Sequence, residues 1–565
     1  MLFEVGLFLG GVAALLGAAE IWMRYKASQV VRKDGTEVPF VATMWLGSRV
    51  SAVLIGIKVM FTGEFRQNLW KDLSKLVEHE QVVPQESGKG GWAQISFFGR
   101  TMVLATQPSA VKAMLFAPED KLGKLQFGSV VDKFLSHSIL LETGESWKRQ
   151  KRVLSPAFKY ENLQGMVPTM VKSAEELCAA LREEVAFIEL VRRERPAALM
   201  NKVVHEGVEV YEWLQYLTRD IIARVGFGTE LSVVMAARRK AAEERTAVGK
   251  RIGLTGVGAG ADIVVDTTAA EGATQYEELM EELLNPIHLL NPLDRLVGAD
   301  KRVDLKLKAF ETTMLNLMQS KAAKMKRDLD EGCNVLEGAT DIMGLLLHSH
   351  ICEESLTELE VLRNLNTFYI AGQETVSGAL ANTLFLLALN PDAQAQARAE
   401  VRRVCGEGDD FTLGNDQVRE MEYCHACLKE SLRLVPVAPL VARVALEDVE
   451  LDGVNIPKGT ALGAHFAALH HHPMLYPEPE HYRPERFLLG ADSKPRPSGS
   501  WSPFSLGPRQ CIGNQLALLQ LRLELSLLLH NFDFQVCPSS EPYLPTSGVV
   551  FGPPAGAQLR ITCLN

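Results

Sequence analysis

The 565-residue chain is 47% hydrophobic and 23% charged, enough apolar material for a large core that needs neither a disulfide framework nor a structural metal. Its 59 Lys and Arg against 69 Asp and Glu leave a formal charge of −10, a surface that repels phosphate backbones and argues against nucleic acid as a partner. Nine cysteines, an odd number without regular spacing, fit a reducing compartment better than a disulfide scaffold.

From Leu2 to Met23 the chain is apolar apart from Glu4 and Glu20, roughly the length that spans a bilayer. A cleaved signal peptide would carry basic residues before the apolar run, whereas here Arg24, Lys26, Arg32 and Lys33 follow it. Residues 1–30 are therefore expected to be a single-pass anchor, and positive charge staying inside puts the bulk of the protein in the cytoplasm. A buried core helix is the alternative reading, disfavoured by the missing polar face. Residues 31–89 form a juxtamembrane segment. It contains a second apolar stretch, Ser51 to Thr62, which Lys58 interrupts and which is too short to span.

Beyond residue 90 short strands give way to longer amphipathic helices, and no linker divides the chain, so residues 90–565 are expected to be one mainly α domain with a small β region. Ile95 to Phe98 and Met102 to Ala105, around Gly99-Arg100, predict a hairpin. Gly144 to Arg152 carries Trp147 and a run of positive charge, Lys148, Arg149, Lys151 and Arg152, with Lys159 beyond it. On an acidic protein such a run stands out, and by itself it reads as a solvated face. The stretch from Ala247 to Ala273, rich in Gly, Ala and Thr, predicts a loop or a disordered insertion.

A long helix is predicted from Leu356 to Leu389, with Leu362, Leu365, Tyr369, Gly372 and Val376 on one stripe and Asn390-Pro391 ending it. In its middle Ala371-Gly372-Gln373-Glu374-Thr375 puts a carboxylate and a hydroxyl among apolar residues. A proton path or a helix distortion would explain their cost, and so would a threonine bonding back to a helix carbonyl. Further on, Glu430 and Arg433 share one helix face at i,i+3. Cys424, Cys427 and His470-His471-His472 do not make a zinc site, because that needs about four converging ligands. Pro484-Glu485-Arg486-Phe487 comes next.

The most informative segment runs from Phe504 to Ala517: a loop with Gly507 and Gly513 delivers Cys511 to the start of an apolar helix. The glycines let the backbone turn and approach a flat ligand. The positive end of the helix and nearby Arg509 both favour thiolate over thiol. A lone cysteine is more often inert, but one embedded in Phe, Gly, Arg, Gly and Ala at set offsets is not a lone cysteine.

This segment resembles the haem-binding loop of the cytochrome P450 family, F-x-x-G-x-R-x-C-x-G-x-x-x-A, with every fixed position filled. Ala371 to Thr375 is similar to that family's A-G-x-[D/E]-T. Glu430 and Arg433 followed by Pro484 to Phe487 match its E-x-x-R and P-E-R-F. Trp147 to Lys151 approximates its W-x-x-x-R, with Lys151 in the arginine's place and Arg152 after it. The resemblance implies haem b (iron protoporphyrin IX) bound through Cys511 as the axial iron ligand, which promotes O–O cleavage. It further implies Phe504 beside the sulfur, with Gly507 and Gly513 shaping the loop. Arg509, Arg443, Trp147 and either Lys151 or Arg152 would serve the propionates. Glu374 and Thr375 would relay protons to dioxygen, Gly372 would leave room for it, and Glu430, Arg433 and Arg486 would form a buried charged cluster anchoring the cysteine loop. The fold implied is the cytochrome P450 fold preceded by a transmembrane helix. The reaction is insertion of one oxygen atom into a small apolar substrate. Electrons would come from NADPH through a reductase docked on the basic run, with cytochrome b5 a further candidate donor, on the endoplasmic reticulum membrane. A haem isomerase or dehydratase needing no reductant, and a non-catalytic haem binder, are the other classes; the retained Thr375 favours the monooxygenase.

Overall fold

The strands around Gly99-Arg100 do form a hairpin, and it begins the larger of the sheets. The computed structural model describes residues 30–32, 91–97, 100–125, 134–194, 206–252, 275, 278–279, 299–333, 341–488, 490, 495–540, 543, 545, 550–554 and 556–564. The strands are β1 Val31–Arg32, β2 Trp92–Phe97, β3 Arg100–Ala105, β4 Leu122–Lys124, β5 Leu440–Ala445, β6 Val449–Leu451, β7 Val454–Ile456, β8 Ala461–His465, β9 Phe532–Val536 and β10 Leu559–Cys563. They make a five-stranded sheet of order β2-β3-β8-β5-β4, a three-stranded sheet β1-β7-β6 and a two-stranded β10-β9 pair. Every pairing is antiparallel except that of β3 with β8.

The helices carry most of the chain: α1 Pro108–Leu115, α2 Gly144–Leu154, α3 Tyr160–Glu194, α4 Val210–Ile221, α5 Val233–Ile252, α6 Ala299–Asp330, α7 Ile342–Ile351, α8 Glu358–Leu389, α9 Pro391–Cys405, α10 Asn415–Glu420, α11 Glu422–Leu434, α12 Phe466–His470 and α13 Asn514–Asn531. Helix α8 is the predicted long helix. Thr357 caps it and Glu360 completes a reciprocal capping box; Pro391, which cannot continue α8, starts α9. Apolar residues surround α8 on every side, so it is buried along most of its length, with Leu380, Leu384 and Phe385 fully inside the core. Helices α4, α11 and α13 pack against it.

One boundary differs from the sequence expectation. Helix α5 continues to Ile252, so the first residues of the Gly/Ala/Thr-rich stretch are helical; Ala-Val-Gly-Lys-Arg holds helix well enough when it extends a preceding charged one. Val30 is buried in the same apolar cluster as Val454 and Ile456, and β1 pairs with β7, so the short stretch Val30–Arg32 packs on the domain. The Leu2–Met23 and Ser51–Thr62 stretches lie outside the described residues. Among those described, no helix is long and apolar enough to cross a membrane.

Candidate active site

The cysteine loop is held by its own backbone before any side chain acts. Gly507 takes a left-handed conformation (φ +74°), and a Cβ there would lie 2.8 Å from the Leu115 carbonyl oxygen, so both conformation and space demand glycine. Gln510 N donates to the Gly507 carbonyl at 3.1 Å, and Cys511 N donates to the Phe504 carbonyl at 2.9 Å. Cys511 is exposed to a water-sized contact, yet burial raises its thiol pKa. Both are true of a sulfur that protein atoms crowd without covering. The Gly513 backbone N–H bonds the sulfur and pulls the other way. Phe504, half-buried, meets Trp501 edge to face at 6.3 Å.

Arg509 does not face the sulfur. Its Nε pairs with Glu119 Oε1, Nη2 donates to the Glu142 carbonyl at 2.7 Å and Nη1 to the Ile139 carbonyl at 3.3 Å. The guanidinium lies 3.9 Å from the centre of the Trp147 ring, and Lys151 Nζ sits 4.9 Å from the same ring. The expectation that Arg509 favours the thiolate therefore fails: Glu119 takes its charge. The alternatives Lys151 and Arg152 also separate, since Lys151 Nζ donates to the Pro508 carbonyl at 2.6 Å, against the cysteine loop, while Arg152 is exposed.

Beyond Arg509 lies an excess of positive charge. Arg443 on β5 is buried, and Lys124 on β4 is its register partner. Burial is the first cause of a lowered pKa at both; Arg509 lowers both further, and Arg443 also acts on Lys124, pushed down to about 7. Neither Lys124 nor Glu119 stands out in the sequence, because a strand register and a turn before it bring them here.

The oxygen-helix residues divide between two faces of α8. Gln373 and Glu374 are buried, while Ala371 is exposed and Thr375 partly so, on a helix otherwise packed away. Thr375 Oγ1 donates to the Ala371 carbonyl at 2.6 Å, the back-bonded arrangement. Glu374 accepts from Gln373 Nε2 at 3.2 Å and from Gln215 Nε2 of α4 at 3.5 Å. Burial raises its pKa against the opposing pull of Arg219. A Cβ on Gly372 would come within 2.9 Å of Ile222 Cδ1, at the start of a π-helical turn, Ile222–Phe227, that follows α4. The space that the glycine leaves is thus used by Ile222.

Aromatic and polar contacts tie the two halves. Phe158 meets Phe368, one turn before Gly372, at 5.6 Å between centroids, and its ring lies 3.7 Å from where a Cβ on Gly513 would stand. Asn364 of α8 accepts from Ile139 N at 3.0 Å and donates to Gln150 Oε1 of α2 at 2.8 Å; Ile139 is the residue whose carbonyl Arg509 holds.

Glu430, Arg433 and Arg486 meet. Arg433 Nε and Nη2 reach the two Glu430 oxygens at 2.7 and 2.8 Å with neither side chain exposed, and Arg486 Nε is 3.3 Å from Glu430 Oε1. The cluster reaches the cysteine loop through a residue that sequence reasoning set aside. Arg433 Nη1 donates to the His470 carbonyl at 3.0 Å, and His470 Nε2 accepts from Ser502 N at 2.9 Å, two residues before Phe504. Only the run of three histidines signalled it.

Arg149, in the basic run, is not a free surface charge: it chelates Glu360 and donates to the Ser355 carbonyl. Lys148, Arg152 and Lys159 are exposed, with Lys148 Nζ 2.6 Å from Glu145.

The residues fit haem on three counts. One thiol is accessible within a buried surround, buried cations outnumber the carboxylate among them, and Ala371 and Thr375 are open on a buried helix. A flat apolar ring bearing two carboxylates and needing a soft axial ligand matches that donor set.

A family model described as Cytochrome P450 matches residues 89–560. The chain is 27% identical over 470 residues to "Cytochrome P450 734A1" of Arabidopsis thaliana, covering 83% of this chain and 80% of that protein. It is 26% identical to "11-oxo-beta-amyrin 30-oxidase" of Medicago truncatula and 28% identical to "Cytokinin hydroxylase" of Arabidopsis thaliana, each covering 81% of this chain and 78% of the relative. The solved structure described as "Crystal structure of cytochrome P450DA heme domain" superposes with a TM-score of 0.66 at 21% identity, over 90% of this chain and 95% of its own, a likeness of fold.

Proposed function

The chain belongs to the cytochrome P450 family, and from that premise we propose that it is a haem-thiolate monooxygenase inserting one oxygen atom of dioxygen into an apolar organic substrate. The observation that carries the reading is Cys511: an accessible sulfur on a backbone-locked loop, bonded by the Gly513 amide. Relatives named as an oxidase and a hydroxylase support oxygen insertion over rearrangement.

Haem held by Cys511 supplies the redox-active iron at which dioxygen is reduced. The chain's own residues do the rest. Burial raises the Glu374 carboxyl above the ordinary carboxylate range, which favours its protonated, proton-donating form. Thr375 parks its proton on the Ala371 carbonyl and presents its oxygen lone pairs to the open face of α8. Arg509, Arg443 and Lys151 serve the acidic edge of the cofactor, and Trp147 spaces two of them. The cluster of Glu430, Arg433 and Arg486 keeps the loop in register through His470.

Electrons arrive from NADPH through a reductase, with cytochrome b5 a further candidate donor. The exposed Lys148, Arg152 and Lys159 give an acidic donor a docking face. Residues 1–30 anchor the protein to the endoplasmic reticulum membrane with the catalytic domain in the cytoplasm, and residues 31–89 lead to it. The apolar flank Leu2–Met23 and the basic residues after it support this placement.

The test is spectroscopic. Reduced, carbon monoxide-bound protein is expected to show the red-shifted Soret band of thiolate ligation, lost in Cys511→Ala, and product formation from an apolar compound library is expected to require NADPH and reductase. An unchanged spectrum in Cys511→Ala overturns the assignment; product without reductant moves it to the isomerase class.

A further inference from the structure

Asn364, Phe368, Ala371 and Thr375 fall on one stripe of α8; the first two are buried, Ala371 is exposed and Thr375 partly so. Asn364 is thus a wholly buried amide on the side of the helix that opens two turns further on. Both its polar atoms are used. Oδ1 accepts from Ile139 N at 3.0 Å, and Nδ2 donates to Gln150 Oε1 and to the Glu360 carbonyl, each at 2.8 Å. Gln150, equally buried on α2, carries the connection on by donating from Nε2 to the His137 carbonyl at 3.2 Å. His137 stands in the left-handed region (φ +60°), a conformation that a β-carbon disfavours and that outside bonds must hold. A buried polar network with both amides engaged fixes one arrangement of the segments it joins.

Ile139 is gripped at both ends of its main chain, by Asn364 at the N–H and by Arg509 at the carbonyl, 3.3 Å away. Arg509 belongs to the cysteine loop and lies 3.9 Å from the centre of the Trp147 ring; Trp147 is one turn before Gln150 on α2, and Gln150 returns to Asn364. These contacts close into a circuit that runs from α8 to the cysteine loop and back. We infer that Asn364 is a positioning residue: through Ile139 and Gln150 it sets how far the open side of α8 stands from the loop that carries Cys511. The inference rests on the haem-thiolate reading and deepens it, since that separation is the clearance left for a flat ring and for whatever binds above it. An aliphatic side chain of similar size would leave the Ile139 N–H and Gln150 Oε1 without partners inside the core, so the segment has to shift to pair them. Nothing in the sequence marks Asn364, because Ile139 and Gln150 lie more than two hundred positions before it.

The experiment uses the full-length holoenzyme, with carbon monoxide as the probe of the open side of α8. The C–O stretching band of the reduced complex is recorded by infrared spectroscopy, and haem transfer to excess apomyoglobin is followed optically. The proteins compared are wild type, Asn364→Leu, Gln150→Met, Arg509→Lys and the double variant of Asn364→Leu with Arg509→Lys. Loss of one net hydrogen bond predicts about fivefold faster transfer in Asn364→Leu, together with a displaced and broadened band. In the Arg509→Lys background the same substitution is expected to add little to either quantity, since both act on Ile139. An unmoved band in Asn364→Leu overturns the proposal, and a lowered Tm beside it marks a purely structural amide. Fully additive effects in the double variant overturn it as well. Should Asn364→Leu yield no holoprotein, Gln150→Met, which opens the circuit but leaves Ile139 paired, carries the comparison: a displaced band supports the proposal and an unmoved one overturns it. Failure of the underlying reading shows differently, as a missing thiolate spectrum in the wild type.

Discussion

Arg433 grips the main chain of His470 while His470 grips the main chain of Ser502, so a buried ion pair and the cysteine loop are two bonds apart. The arrangement turns a charge cluster far from the thiol into part of its support.

Breaking that cluster is expected to be severe. Glu430→Ala would strand Arg433 and Arg486 with fully or nearly fully buried charge, at a cost of about 3–5 kcal/mol. The expected outcome is loss of folded haem protein rather than a changed rate. Normal haem content and thermal stability in Glu430→Ala would contradict it.

Stability should fall on both sides of neutrality, for opposite reasons. Burial pushes His465 and His471 down to about 4, and His470 well below its ordinary value, against 6.5 for a free imidazole. Below pH 6.5 the unfolded chain therefore takes up protons that the folded one refuses; this stability is complete above 6.5 and is lost as pH falls towards 4, at about 1.4 kcal/mol per pH unit for each proton. Glu524 is pushed up to about 8, so its contribution is complete below 4.5 and lost as pH rises to 8. Thermal unfolding of the holoprotein is expected to show a maximum between these limits, with Glu524→Gln more stable than wild type at pH 8. A Tm that is level from pH 7 to 5 rules the histidine account out.

Thr375→Val and Glu374→Gln remove two adjacent protic groups of α8 without altering Cys511. Product formation is expected to fall by about 100-fold while the thiolate spectrum stays normal, and Thr375→Ser should recover most of the rate. Wild-type turnover in both variants would leave proton delivery to other groups.

The basic run separates into a structural and an exposed part. Lys148→Glu and Arg152→Glu are expected to slow electron transfer at low salt, with haem content and Tm unchanged. Arg149→Glu, by contrast, sets a carboxylate against Glu360 and should lower Tm. Stopped-flow reduction beside thermal scans distinguishes the two; equal reduction rates in wild type and the Lys148 and Arg152 variants would remove this docking face.

What the sequence made legible was local. Cys511, Gly507 and Phe504 lie in one loop, Ala371 to Thr375 in one helix turn, and Glu430 with Arg433 on one helix face, so spacing alone brings each group together. The errors and omissions are all tertiary. Glu119 intercepts Arg509, Glu360 intercepts Arg149, and Lys124 meets Arg443 only through the register of β4 with β5. His470 looked like one of three equivalent histidines until its two ends found different partners.

The parallel pairing of β3 with β8 has a consequence for biogenesis. Met102 cannot meet Ala461 until the ribosome has delivered most of the chain, and the hairpin made early must wait with one edge bare. An unmatched edge during synthesis invites wrong partners. Low temperature and slow expression should therefore raise the yield of soluble protein more than any single stabilising substitution in the helices.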